Sequence, residues 1–152
     1  MPRHPTLLVA ALALLACSAA DDTAVDSAAG EQASRNTTLA AFAGTWNVRA
    51  MPAQGDSTIG MYVVTATSDT SGWTLAFPGR EPIPMRVLSV AGDSVVVEAG
   101  PYPSTLRQDV QVVTRSVTRV LGDRMIGTAV ARYQNAGADS VRTLRLEGTR
   151  AP

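Results

Sequence analysis

From Gly44 onward, apolar and polar residues alternate in short runs, and clusters of Gly, Asp, Asn, Ser and Pro break these runs about every ten residues. Successive side chains of a strand point to opposite faces, so a period of two predicts a half-buried β-strand. Eight strands are predicted, at 44–51 (GTWNVRAM), 58–67 (TIGMYVVTAT), 72–77 (GWTLAF), 83–91 (IPMRVLSVA), 93–99 (DSVVVEA), 108–120 (QDVQVVTRSVTRV), 123–134 (DRMIGTAVARYQ) and 140–149 (SVRTLRLEGT). The connections AGD (91–93) and LGD (121–123) have the chemistry of tight hairpins, and SDTSG (68–72) and NAGAD (135–139) that of longer ones. No stretch of this region sustains apolar residues at i, i+3 and i+4, apart from a helical turn around 38–43.

Short strands at regular spacing predict an all-β fold, a single antiparallel meander. Eight strands suffice to close a barrel, and a β-sandwich is the alternative. The alternation is clearest in the seventh and eighth runs. Met125, Gly127, Ala129, Ala131 and Tyr133 share one face, opposite Arg124, Thr128 and Arg132. The small residues on that face fit a curved sheet with a narrowing interior, or else a tight contact between two sheets. Arg142 falls in phase with Leu144 and Leu146, which points it inward near a barrel mouth or leaves it snorkelling at a strand end. The segment 100–104 (GPYPS) reads as a rigid loop with Tyr102 exposed at its tip.

The chain before Leu39 follows a different pattern. Residues 1–6 (MPRHPT) carry Arg3, and an uncharged apolar run follows from Leu7 to Ala16. A positive start, a short apolar core and small residues after it form a secretory signal. Ten residues rise about 15 Å as a helix, half of a bilayer's hydrocarbon thickness, too short for a span. Residues 18–38 are dominated by Ala, Ser, Thr, Asp and Gly, with no aromatic, a composition that predicts a flexible tether. The domain organisation is therefore a signal peptide at 1–16, an anchor and tether at 17–38, and one folded domain at 39–152. All seven aromatic residues lie in that last part.

Leu14-Leu15-Ala16-Cys17 resembles the lipobox of bacterial lipoproteins. The resemblance implies cleavage before Cys17, acylation of its thiol and a mature chain that begins there. It implies a lipid-anchored protein of the bacterial cell envelope, with the membrane as a partner through Cys17. Because Ser18 rather than Asp follows the cysteine, the family's sorting rule implies the periplasmic face of an outer membrane. Phe42-Ala43-Gly44-Thr45-Trp46 looks like the Gly-x-Trp opening of lipocalin-like barrels. That resemblance implies a tryptophan closing one barrel end, under an arginine supplied by Arg145 or Arg150.

Composition removes much chemistry. His4 and Cys17 are the only histidine and cysteine, and the chain has no lysine. A mature domain without histidine or free thiol has no Ser-His-Asp or Cys-His machinery and lacks the nitrogen and sulfur ligands that zinc, haem and copper sites favour, so no catalytic residue, metal or cofactor is expected. Phosphate loops and calcium loops are absent as motifs. From Leu39 on there are eleven arginines and nine acids, too small an excess to predict nucleic-acid binding. The expected function is a non-catalytic binding module for a small apolar or amphiphilic ligand, with Trp46, Tyr133 and Arg142 as candidate ligand-binding residues. The alternative is a structural or interaction lipoprotein that binds another envelope protein through its loops or outer barrel face.

Overall fold

A computed structural model describes residues 22–135 and 137–152. The signal segment and the lipobox with Cys17 lie outside these residues. Eight strands follow one another: β1 (Gly44–Pro52), β2 (Gly60–Ala66), β3 (Thr74–Ala76), β4 (Ile83–Ala91), β5 (Ser94–Pro103), β6 (Gln111–Leu121), β7 (Arg124–Tyr133) and β8 (Val141–Arg150). Each pairs antiparallel with the next, and β8 returns to β1 with Trp46 opposite Arg150, so the sheet closes as a barrel. The meander read from the alternation is the fold, as a barrel and not a sandwich, and it fits a lipocalin-like architecture. In the hairpins after β4 and β6, Gly92 and Gly122 take φ of 58° and 61°, the positive value a two-residue turn requires at its first loop position.

Alternation sorts the side chains into an apolar inside and a charged outside. Trp46, Val48 and Ala50 on β1, Val95, Val97 and Ala99 on β5, and Leu144 and Leu146 on β8 are all buried. Arg49, Arg115, Arg119, Arg124 and Arg132 stand on the outer face, exposed. This is the reverse of a membrane-spanning barrel, whose outer band is apolar and whose lumen is polar. Among the described residues no helix is long and apolar enough to cross a bilayer.

Gly127 shows how tightly the wall is wound. It faces inward on β7 between Met125 and Ala129, opposite Thr118 of β6. A Cβ placed there would lie 2.2 Å from the Val117 carbonyl oxygen and 2.9 Å from the Thr118 Cα, so the neighbouring backbone occupies the space of a side chain.

Two sequence expectations need correction. The stretch read as a flexible tether is helical: α1 runs over Asp22–Phe42. Residues 27–37 of α1 are exposed, and only its end is buried in the barrel through Thr38, Leu39 and Phe42. Ala, the best helix former, occurs six times in this segment, so local propensity favours the helix where no apolar stripe announces it. The second correction concerns Tyr102. β5 continues through the cis Gly100-Pro101 bond to Pro103, and Tyr102 is buried instead of exposed on a loop tip.

A Gly127→Ala variant is expected to lose about 2–3 kcal/mol in urea unfolding, the scale of overpacking against backbone. Gly60→Ala is the control: its Cβ would meet only the Ala50 Cβ at 4.0 Å, and its stability is expected to stay within about 0.5 kcal/mol.

Candidate functional site

The two barrel ends differ in kind. At one end α1 arrives and closes it. Trp46 is fully buried there, its indole N–H donating to the Phe42 carbonyl at 2.7 Å. Phe42 packs on Trp73 with ring centroids 5.6 Å apart. Of the two arginines expected to cover Trp46, Arg150 does so, with its guanidinium carbon 4.2 Å from the ring centre. Arg145 lies on the outer face, paired with Asp56 across the β1–β2 loop.

The opposite end is the mouth. Three aromatic rings form a chain across it, with Phe77 5.7 Å from both Tyr62 and Tyr102. The Tyr102 hydroxyl shares a 2.8 Å hydrogen bond with the Thr114 hydroxyl of β6. Tyr133 completes the ring, and Leu106 covers it from the loop that follows β5. That loop is held as a compact turn. The Ser104 hydroxyl accepts from the backbone N–H of Leu106 (3.1 Å) and of Arg107 (3.0 Å), and Arg107 lies 4.5 Å over the Tyr133 ring. The cavity enclosed by these groups measures about 50 Å³. A second void near the barrel middle, beside Val64, Met85 and Ser116, measures about 20 Å³. Small-molecule sites are usually about 300 Å³ or more, and an engineered dry cavity that binds benzene measures about 150 Å³. The interior is filled by its own side chains, with room at the mouth for a water or two.

The three candidate ligand residues do not form one site. Trp46 plugs the closed end and Tyr133 lines the mouth. Arg142 stands opposite Ala131, one step beyond the last buried layer, exposed at the rim and outside the cavity lining. The mouth residues missing from the sequence reading are Tyr62, Phe77 and Leu106. Tyr62 shares the alternation of Val64 and Ala66 on β2, a signal that would have found it; Leu106 lies in a loop with no period to follow.

The carboxylates serve the fold. Asp69 accepts from the backbone N–H and the hydroxyl of Ser71, both at 2.6 Å, which holds its carboxyl below the ordinary range. The Arg49 guanidinium, 2.5 Å away, does the same for Glu147, with Arg124 and Arg145 adding to it. Among the described residues no group of three potential metal ligands converges.

No family of known proteins, no curated protein and no solved structure matches this chain significantly. The lipocalin-like likeness therefore rests on the barrel and on the Trp46–Arg150 pair.

The mouth tyrosines give the site a pH signature. Burial pushes the Tyr62 phenol above its ordinary range, with the nearby Tyr102 adding to the effect, and burial likewise raises Tyr102. The neutral phenol is the form the fold favours. Stability from this source is complete below the unfolded value of about 10 and falls as pH rises above it. Thermal midpoints measured across alkaline pH are expected to drop beyond about pH 10, and Tyr62→Phe to flatten that drop.

Proposed function

We propose that this protein is a lipid-anchored, non-catalytic module of the bacterial cell envelope. Acylated Cys17 holds it at the periplasmic face of the outer membrane. There it binds another envelope protein through its loops or outer barrel face. The observation that carries this reading is the packed interior: voids of about 50 and 20 Å³ leave no place for an amphiphile. The outer surface, in contrast, leaves Met61, Val117 and Val141 exposed at 63%, 44% and 55%. The lipobox pattern supports the anchor, and the absence of histidine and cysteine after Cys17 supports a non-catalytic role.

A second reading is favoured by the mouth itself. Four aromatic side chains and a compact covering loop suit a small ligand that enters by displacing Leu106, with Arg142 at the rim to meet an acidic group. A fatty-acid probe distinguishes the two. Both tryptophans sit at the closed end, so the mouth tyrosines are the reporters. The protein-binding reading predicts no saturable change in tyrosine fluorescence and no rise in thermal midpoint. Saturable binding that Arg142→Ala weakens would establish the small-ligand reading instead. The anchor is tested separately: Cys17→Ser is expected to move the protein from the membrane fraction to a soluble or uncleaved form. A wild-type protein that is already soluble, with a mature N-terminus other than Cys17, contradicts it.

A further inference from the structure

The barrel wall has one weak seam. β3 has only three residues and meets β4 at just two register pairs, Thr74 with Pro84 and Leu75 with Ile83. One further hydrogen bond, from the Met85 N–H to the Trp73 carbonyl at 2.8 Å, ends the contact. Past Met85, β4 runs on to Ala91 paired with β5 alone, and among the described residues no backbone group of the 67–72 loop pairs with it. Residues in phase with Met85 turn their N–H and C=O groups to this open side, which makes Val87 the next. A bulge between Val87 and Ser89 then resets the phase, so that Val90 follows. Leu88, the extra residue, is 38% exposed.

A row of open donors and acceptors is satisfied best by another extended backbone. We propose that the free half of β4 is a self-association edge, which pairs antiparallel with β4 of a second copy about a two-fold axis between Leu88 and Ser89. This goes beyond the proposed function and does not depend on it. In that register Val87 faces Val90 of the second copy and Val90 faces its Val87, so the residues with open backbone groups meet one another. The bulge, which would break the ladder against a regular strand, occurs in both strands at mirrored positions and cancels. Leu88 of each copy packs beside Ser89 of the other, across the axis.

Charge does not oppose this register. Arg86, 75% exposed and bonded to Glu98, falls opposite Ala91 of the second copy. Ala91 borders a crevice of about 230 Å³ between β4 and α1 that also holds Glu31, Ser34 and Arg35. Arg86 thus arrives at a crevice of the second copy that holds one acid and one arginine, Glu31 and Arg35, so the charges there balance. The two Arg86 side chains remain about 17 Å apart, five residues along a strand, beyond the screening length at physiological salt. A six-residue ladder buries less than a standard interface, so the dimer is weak in dilute solution. Confinement to a membrane surface would raise its population.

The test uses the chain from Asp22 to Pro152, which contains the whole barrel and every core residue described. Sedimentation from about 10 µM to about 1 mM is expected to show a monomer giving way to a dimer. Amide hydrogen exchange at Val87 and Val90 is expected to slow in step. Leu88→Lys places a charge at the axis without removing a backbone donor. It is expected to retain the wild-type far-UV spectrum and thermal midpoint, and to stay monomeric at every concentration. Three results overturn the proposal. One is a monomer at the highest concentration. Another is a dimer whose formation leaves the Val87 and Val90 amides at their monomer rates. The third is slow exchange at those amides in the dilute monomer, which would mean that the chain covers its own edge.

Discussion

The guanidinium of Arg150 joins the last strand to the junction of α1 and β1, more than a hundred residues earlier in the chain. It stacks on Trp46 from the first strand, and it donates to the Ala43 carbonyl at 2.6 Å and the Ala41 carbonyl at 2.9 Å at the end of α1. Helix ends leave carbonyls without partners and carry partial negative charge, so a cation there serves as both a cap and a charge partner. Gly44, with φ of 125°, makes the approach feasible: a Cβ there would stand 2.8 Å from the arginine nitrogen. The last strand residue, the first strand and the helix are thereby fixed together at the end where the barrel closes. Because β8 is also the strand that pairs with β1, the same contact sets the register that closes the sheet.

Closing that end settles the use of the interior. Phe42, Trp46 and Trp73 fill the lower barrel, aliphatic side chains fill the middle, and four aromatic residues with Leu106 occupy the mouth. A barrel packed in this way has its stability inside and its chemistry outside. The arginines of the outer face are partly neutralised by Glu98, Glu147 and Asp93. Such a surface is chemically modest, and the open length of β4 is the place where its backbone is most available.

Much of the fold was legible because closure of an antiparallel sheet imposes one rule along the whole chain. Alternation located all eight strands, and Gly92 and Gly122 marked two of the hairpins. The features that escaped obey no such period. α1 is exposed along most of its length, so it needs no apolar stripe, and its Ala-rich composition reads equally as a tether. Tyr102 sits after a register shift in β5: the alternation of Val95, Val97 and Ala99 would turn it outward, and the shift brings it inside. The shortness of β3 depends on the tight turn around Asp69 and Trp73, which the propensity of the run GWTLAF does not reveal. Of the candidate site, Tyr133 was legible from its face on β7. Arg142 followed the same alternation one layer too far, to a rim where no core remains.

The measurement that bears most directly on this account is a double-mutant cycle on the closed end, read by urea unfolding. Arg150→Met keeps the aliphatic stem but removes the guanidinium, and it is expected to cost about 2–3 kcal/mol, the sum of a cation–π contact and charged hydrogen bonds. Combined with Trp46→Leu, the two losses are expected to fall short of additive by about 1 kcal/mol, because both variants remove the same stack. A variant Arg150→Met within about 0.5 kcal/mol of the wild type, or strictly additive losses, would show that the closed end is held by burial alone and that the arginine is incidental to it.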